Sequence, residues 1–250
     1  MKTVSSTRSE PPLEHEHSPE AIRRRLSRGV RQNYLRDFVY GGIDGAVTTF
    51  AIVAGTVGAS LSTRVILILG AADLIADGFS MAASNFLGTR TEREDYKRLE
   101  KIEHRHIEIA PEGEQEEVRQ IYAEKGFDGA DLERAVEVIT ADRERWVRTM
   151  LTEEYGLPRE VRSEWLAAFS TFVAFVVCGL VPLLPFIFGS NVAFSTSAAV
   201  TGLVFFSIGA VKARWSTSPW WNSGLVTLFV GGIAATLAFL AGTLLKNIGL

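Results

Sequence analysis

Five apolar runs, at about 38–61, 65–88, 165–188, 192–211 and 222–245, decide what this chain can fold into. Each is close to the roughly 20 residues that a helix rising 1.5 Å per residue needs to cross about 30 Å of hydrocarbon. Between the second and third runs, 89 to 164 is dense in Glu, Arg and Asp instead. The expected architecture is an all-α integral membrane protein, with five transmembrane helices and a water-facing insert of three helices between the second and third. Residues 1–32 read as a disordered tail, 33–90 as the first two spans, 91–160 as the insert and 161–250 as the last three spans.

The net charge of −3 says less than its distribution. Arg23, Arg24, Arg25, Arg28, Arg31 and Arg36 precede the first run, and Lys212 and Arg214 follow the fourth. By the positive-inside rule both groups belong in the cytosol. The amino terminus and the insert are then cytosolic and the carboxyl terminus lies outside; Lys246, beside the last run, is a single vote against. Pro11, Pro12 and Pro19 mark a polar amino-terminal stretch with no apolar core beside a cleavage site, so it does not read as a signal peptide. Cys178 is the sole cysteine, which excludes an internal disulfide framework and reads as a small buried apolar residue. Glu14-His15-Glu16-His17 is a weak metal motif, more simply a polar piece of tail.

Within the first two runs stand three acids, Asp44, Asp73 and Asp77, with no Lys or Arg near either centre to neutralise them. A carboxylate in hydrocarbon costs at least about 2.5–3.5 kcal/mol, so it persists where it faces other helices or an aqueous cavity. That points to an ion or proton route. Asp44 lies among Gly41, Gly42 and Gly45, small residues that let helices approach closely, and Thr48 follows one turn later. Asp73, Asp77 and Met81 recur every four residues, which puts them on one stripe of the second span. Two oxygen donors and a thioether favour a first-row transition ion over Mg²⁺ or Ca²⁺, although a methionine in an apolar helix is more often simple packing. Asn85 either extends that stripe or bonds a neighbouring backbone. Pro182 and Pro185 should kink or end the third run, the glycine-rich fourth and fifth runs read as packing scaffold, and Trp215, Trp220 and Trp221 fit an interfacial aromatic belt.

In the insert, Thr91 to Ile107 has no Gly or Pro, so the second spanning helix is expected to run on into water. Pro111 and Gly113 mark a turn, Glu114–Lys125 a second helix stopped by Gly126, and Asp131–Tyr155 a third stopped by Gly156 and Pro158. Leu132, Val136, Ile139, Val147 and Leu151 give that third helix a partial apolar stripe, enough for a small core. Glu103-x-x-His106 and Glu114-x-x-Glu117 each place two donors one turn apart, and Met150 and Glu154 repeat the spacing. The competing explanation is a solvated Glu/Arg face, where such pairs arise by chance.

Together, Asp44-Gly45-Ala46-Val47-Thr48-Thr49-Phe50, the stretch Ala76 to Met81, and Pro111 with the acids after it resemble the vacuolar iron transporter family across roughly residues 33 to 248. The resemblance implies five spanning helices with a cytosolic metal-binding insert, and proton-coupled export of Fe²⁺ by a homodimer with the route between subunits. It also implies membrane ligands at Asp44, Asp73 and Met81, and insert ligands at Glu103, His106, Glu114, Glu117, Met150 and Glu154. Asp73 stands where the family pattern has Glu, Asn85 where a glutamate is common, His106 where Glu is usual, and Leu151 where a second Met occurs.

The leading expectation is an antiporter that moves Fe²⁺, with Mn²⁺ as a second cargo, out of the cytosol against protons through Asp44, Asp73, Asp77 and Met81. Fe²⁺, Zn²⁺ and Mn²⁺ are the candidate ions for the insert. The membrane would be the cytoplasmic one in a prokaryote and the vacuolar one in a eukaryote. Two alternatives stand beside it: a membrane-anchored di-iron oxidase, which needs a second Glu-x-x-His where the insert has only one, and a metal sensor without transport.

Overall fold

The computed structural model describes residues 16–27, 32–158 and 162–248. Two units emerge, 1–33 and 34–250. In the first, α1 (Pro19–Ser27) is a nine-residue helix with no buried side chain. Ser18 Oγ accepts the Ala21 amide at 3.3 Å at its start. This part of the stretch expected to be disordered is therefore helical. Pro11, Pro12, Glu14, His15, Arg28 and Arg31 lie outside the described residues.

The second unit holds α2 (Leu35–Gly58), α3 (Thr63–Ile109), α4 (Pro111–Glu124), α5 (Gly129–Thr140), α6 (Arg143–Glu153), α7 (Glu164–Leu180), α8 (Leu184–Ile187), α9 (Ala193–Lys212) and α10 (Trp220–Asn247). Five helices are long and apolar enough to span a bilayer: α2, α3, α7 continued through α8 to Ile187, α9 with its final turn to Trp215, and α10. The expected kink in the third span is there, because Pro182 and Pro185 convert Val181–Leu183 into a 3-10 turn between α7 and α8. The second span runs on unbroken, as the lack of Gly and Pro from Thr91 to Ile107 implied. At 47 residues α3 extends about 70 Å, and only its first part matches bilayer thickness.

Helix α2 is the hub of the membrane unit, packing against α3, α7, α9 and α10. Its glycines explain how. A Cβ on Gly41 would lie 2.4 Å from the Thr171 carbonyl oxygen, and one on Gly45 only 2.3 Å from that of Phe175. Backbone thus meets backbone along the α2–α7 seam, as small residues permit in lipid. Replacing Gly45 by Ala should therefore lower the melting temperature sharply, since overpacking costs about 1–3 kcal/mol even where side chains can yield. Gly42→Ala, whose Cβ would meet the Cys178 Sγ at 3.0 Å, should be milder; equal melting temperatures for the two variants would contradict the seam. Cys178 itself is a free, buried thiol.

Outside the span level, α3, α4, α5 and α6 enclose a separate apolar core built on Leu99, Ile107, Val118, Val136, Trp146 and Met150. The single helix expected over 131–155 is two helices. Asp142 interrupts it: its carboxylate accepts the Arg145 amide at 2.7 Å and caps α6, while α5 ends at Thr140. That break lets α5 and α6 fold back on each other and close the core. Gly126, at φ +92, follows α4 in the left-handed conformation that ends helices, as its sequence position signalled.

Candidate metal centres

Two clusters of acidic side chains are assembled, one where α2 meets α3 in the membrane unit and one in the insert. Asp44 on α2 and Asp73 on α3 are half-buried at that contact. Thr49 Oγ1 donates to Asp73 Oδ2 at 3.0 Å, with Thr48 Oγ1 at 3.5 Å from the same oxygen. Thr48 also donates to the Asp44 carbonyl at 3.0 Å, so two consecutive threonines tie the two acids' helices together. Asp44 is within electrostatic reach of both Asp77 and Asp73. Among the described residues none of the three takes part in a salt bridge. Met81 is half-buried against the membrane core, whereas Asp77 is exposed on a side of α3 left uncovered among the described residues.

Asn85 does not extend this cluster. Its amide nitrogen lies 2.7 Å from Thr171 Oγ1, 3.0 Å from Asp37 Oδ1 and 3.3 Å from the Ala167 carbonyl oxygen, binding α3 to α2 and α7. Asp37 is buried and also pairs with Arg162, the guanidinium of which lies 5.4 Å from the Tyr34 ring centre. Asp37 and Arg162 escaped notice in the sequence because Asp37 falls one residue before the first apolar run. An acid in the first turn of a spanning helix was the available signal.

In the insert Glu103, His106 and Glu114 lie beside one another. Glu103, on α3, is fully buried, and Glu114, on α4, is 5% exposed. His106 Nδ1 lies 3.3 Å from Glu114 Oε1 and 3.9 Å from Glu103 Oε1. Tyr155, just past α6, donates its hydroxyl to Glu103 Oε1 at 3.0 Å. That bond occupies one oxygen of Glu103 and leaves Oε2 buried without a partner; Glu114 Oε2 is likewise buried and unpartnered. Two orphaned carboxylate oxygens in one place normally cost about 1–3 kcal/mol each or more, unless a proton or a cation fills the gap. Glu117 and Glu154 are exposed at the edge, close enough to act electrostatically on Glu114. Met150 is wholly buried in the insert's apolar core. Among the described residues no three His, Cys, Asp or Glu side chains close on a common point at ligand distance. The donors are neighbours, not a finished coordination sphere.

Electrostatics explains why they stand apart. Burial, reinforced by the charges of Glu103, Glu117 and Glu154, pushes the Glu114 carboxyl up to about 7. Burial and the charges of Glu103 and Glu117 also raise Glu154. Between pH 4.5 and about 7 the folded chain therefore holds a proton that the unfolded chain has released. The contribution of Glu114 to stability falls as pH rises through that window. In chelator the protein should melt higher at about pH 5 than at about pH 7.5 relative to Glu114→Gln, in which that difference shrinks; identical pH profiles would contradict the reading. A cation taken up here would have to displace that proton, so its binding would weaken as pH falls below about 7.

The two clusters share one element. Asp73 and Glu103 both stand on α3, about 45 Å apart along its axis. A profile of the VIT family matches residues 35–243, a stretch that contains both clusters, the first four spans and most of the fifth. The chain belongs to the VIT family. Among its relatives, the vacuolar iron transporter of Toxoplasma gondii is 33% identical over 230 residues, covering 86% of this chain and 75% of the relative. Vacuolar iron transporter 1 of Arabidopsis thaliana is 30% identical over 208 residues, 82% and 83% of the two chains. The vacuolar iron transporter of Plasmodium falciparum is 30% identical over 225 residues, 85% and 82%. This VIT-family chain is accordingly an integral membrane protein of a transporter family.

Proposed function

We propose that this VIT-family protein exports Fe²⁺, and with it Mn²⁺, from the side that carries the insert, in exchange for protons. The observation that carries the proposal is the Asp44–Asp73–Asp77 group, which has no basic partner among the described residues: Asp44 and Asp73 sit at the contact of two spanning helices, and Asp77 follows Asp73 by one turn on the second. Such charge in a low-dielectric setting has to be neutralised, and a divalent cation and protons are alternative ways of doing so. Occupancy by one expels the other, which is the essence of exchange. Thr48 and Thr49 hold Asp73 toward α2, and Met81, one turn beyond Asp77, adds a sulfur donor that favours Fe²⁺ over Ca²⁺.

The insert serves as the collector. Glu103 and Glu114 offer their free oxygens, His106 a nitrogen, and Glu117 and Glu154 flank them, with Met150 behind; Fe²⁺, Mn²⁺ or Zn²⁺ suits this mixed set. The working unit is a homodimer. Asp77 lies on a face of α3 shared with the exposed small residues Ser80, Ser84 and Gly88, and a second copy of α3 laid there would shelter the acid from lipid. The insert and amino terminus face the cytosol, in accord with the arginines before α2 and Lys212 and Arg214 after α9.

The deciding experiment is uptake of Fe²⁺, Mn²⁺, Co²⁺, Zn²⁺ and Ca²⁺ into proteoliposomes with the insert outward, with and without an acidic interior. Fe²⁺ entry should accelerate in the acidic vesicles and the interior should become more alkaline as it proceeds. Entry indifferent to the gradient, with no movement of protons, would sink the exchange reading while leaving a uniporter open.

A further inference from the structure

At the insert-bearing end of the membrane unit, a cleft of about 310 Å³ opens between the start of α2 and the end of α9. Its floor is Val39, which is buried, and Ile43. Its rim is Tyr40 and Trp215, 69% and 43% exposed, aromatic side chains of the kind that settle at the level of lipid headgroups. Arg36 and Lys212 approach it from opposite helices, and Ser216 closes the third side. Ser216 Oγ accepts the Ser218 amide at 3.1 Å, so its own proton is left to donate.

Two cations line this cleft; Arg214, beside it in sequence, also lacks a salt bridge among the described residues but is not part of the lining. Arg93 is engaged by Glu164 at 2.9 Å, and Arg162 by Asp37. Among the described residues neither Arg36 nor Lys212 belongs to any salt bridge, and no acid lines the cleft. Two positive charges and a hydroxyl above an apolar floor, bordered by interfacial aromatics, match a phosphate carried on an acyl chain. A free anion would satisfy the cations but leave the floor exposed. A choline headgroup would suit the aromatics but be repelled by both cations.

We propose that this cleft binds an anionic phospholipid, its phosphate held between Arg36, Lys212 and Ser216 and its acyl chain lying over Val39 and Ile43. The site is separate from the acidic clusters and stands whether or not the exchange reading does.

The test is native mass spectrometry of the full chain released from nanodiscs with equal phosphatidylglycerol and phosphatidylcholine of identical acyl chains. Each basic residue near an anionic lipid is worth about fivefold, so the pair should enrich retained phosphatidylglycerol about thirtyfold. Arg36→Gln and Lys212→Gln should each cut the enrichment to about fivefold, and the double variant should abolish it. Both side chains are exposed, so the variants should melt like the wild type in phosphatidylcholine alone, which separates lost lipid from lost fold. Equal retention by the double variant, preference for phosphatidylcholine, or displacement of the lipid by millimolar inorganic phosphate would each overturn the proposal. The first result also covers the case in which a second subunit fills the cleft.

Discussion

Replacing Asp44 by Ala should stop metal-driven proton movement in proteoliposomes. The expected loss exceeds about 100-fold, because outer-shell partners of a metal already cost about 10–100-fold when removed, and Asp44 would bind the cargo directly. Asp44→Asn makes the sharper version: it keeps the volume beside Gly45 and so leaves the α2–α7 seam intact, yet it can neither balance a cation nor release a proton. Both variants should fail equally, which would tie the loss to charge and not to packing. Metal binding by the insert, tens of ångströms along α3, should be unchanged in both. Undiminished flux in Asp44→Asn would remove this residue from the route, whereas loss of insert binding as well would mean that the substitution acts by misfolding.

Much of this architecture was legible because the bilayer imposes one length and one chemistry on every crossing. The five runs mark five helices whose ends shift by a few residues, and the kink at Pro182 and Pro185 follows from the missing backbone donor. Pairs one turn apart, such as Glu103 with His106, could be read because both members ride the same helix. What stayed hidden depends on contacts between distant parts of the chain. Tyr155 reaches Glu103 across 52 positions, and Asn85 reaches Asp37 across 48. No helical period reports such pairs. The break at Asp142 is a different case, since an Asp followed by an acidic first turn is an N-cap signal that the surrounding helix-forming residues outweighed. The outward face of Asp77 is different again: only the folded chain reveals that the described helices leave that side of α3 bare.

Removing the guanidinium of Arg162 should destabilise the protein more than any other single change at the insert-bearing end of the bundle. Asp37 has an 8% exposed side chain and lies where α2, α3 and α7 meet, with Asn85 on one carboxylate oxygen and Arg162 on the other. Arg162 is the last described step of the return from the insert before Ser163, the amide of which donates to the Tyr34 hydroxyl at 2.9 Å. The return chain is thus fastened to the bundle at two adjacent residues. Truncating one partner of a buried pair strands the other and costs about 3–5 kcal/mol; with Arg162 one-third exposed, about 2–4 is expected for Arg162→Ala. Deleting both charges is far less harmful than deleting one, so Asp37→Asn should recover most of the melting temperature lost in Arg162→Ala. The new amide oxygen at that position could still accept from Asn85. If the double variant melts no higher than Arg162→Ala, the loss comes from the contact of the arginine with the Tyr34 ring and not from the stranded carboxylate. The location gives the pair its consequence for transport: Asp37 stands two turns before Asp44 on α2, and Asn85 one turn after Met81 on α3. A stranded negative charge there would compete with the Asp44–Asp73–Asp77 group for the incoming cation. Arg162→Ala should therefore slow Fe²⁺ flux even at temperatures where the protein remains folded, and the Asp37→Asn double variant should restore it.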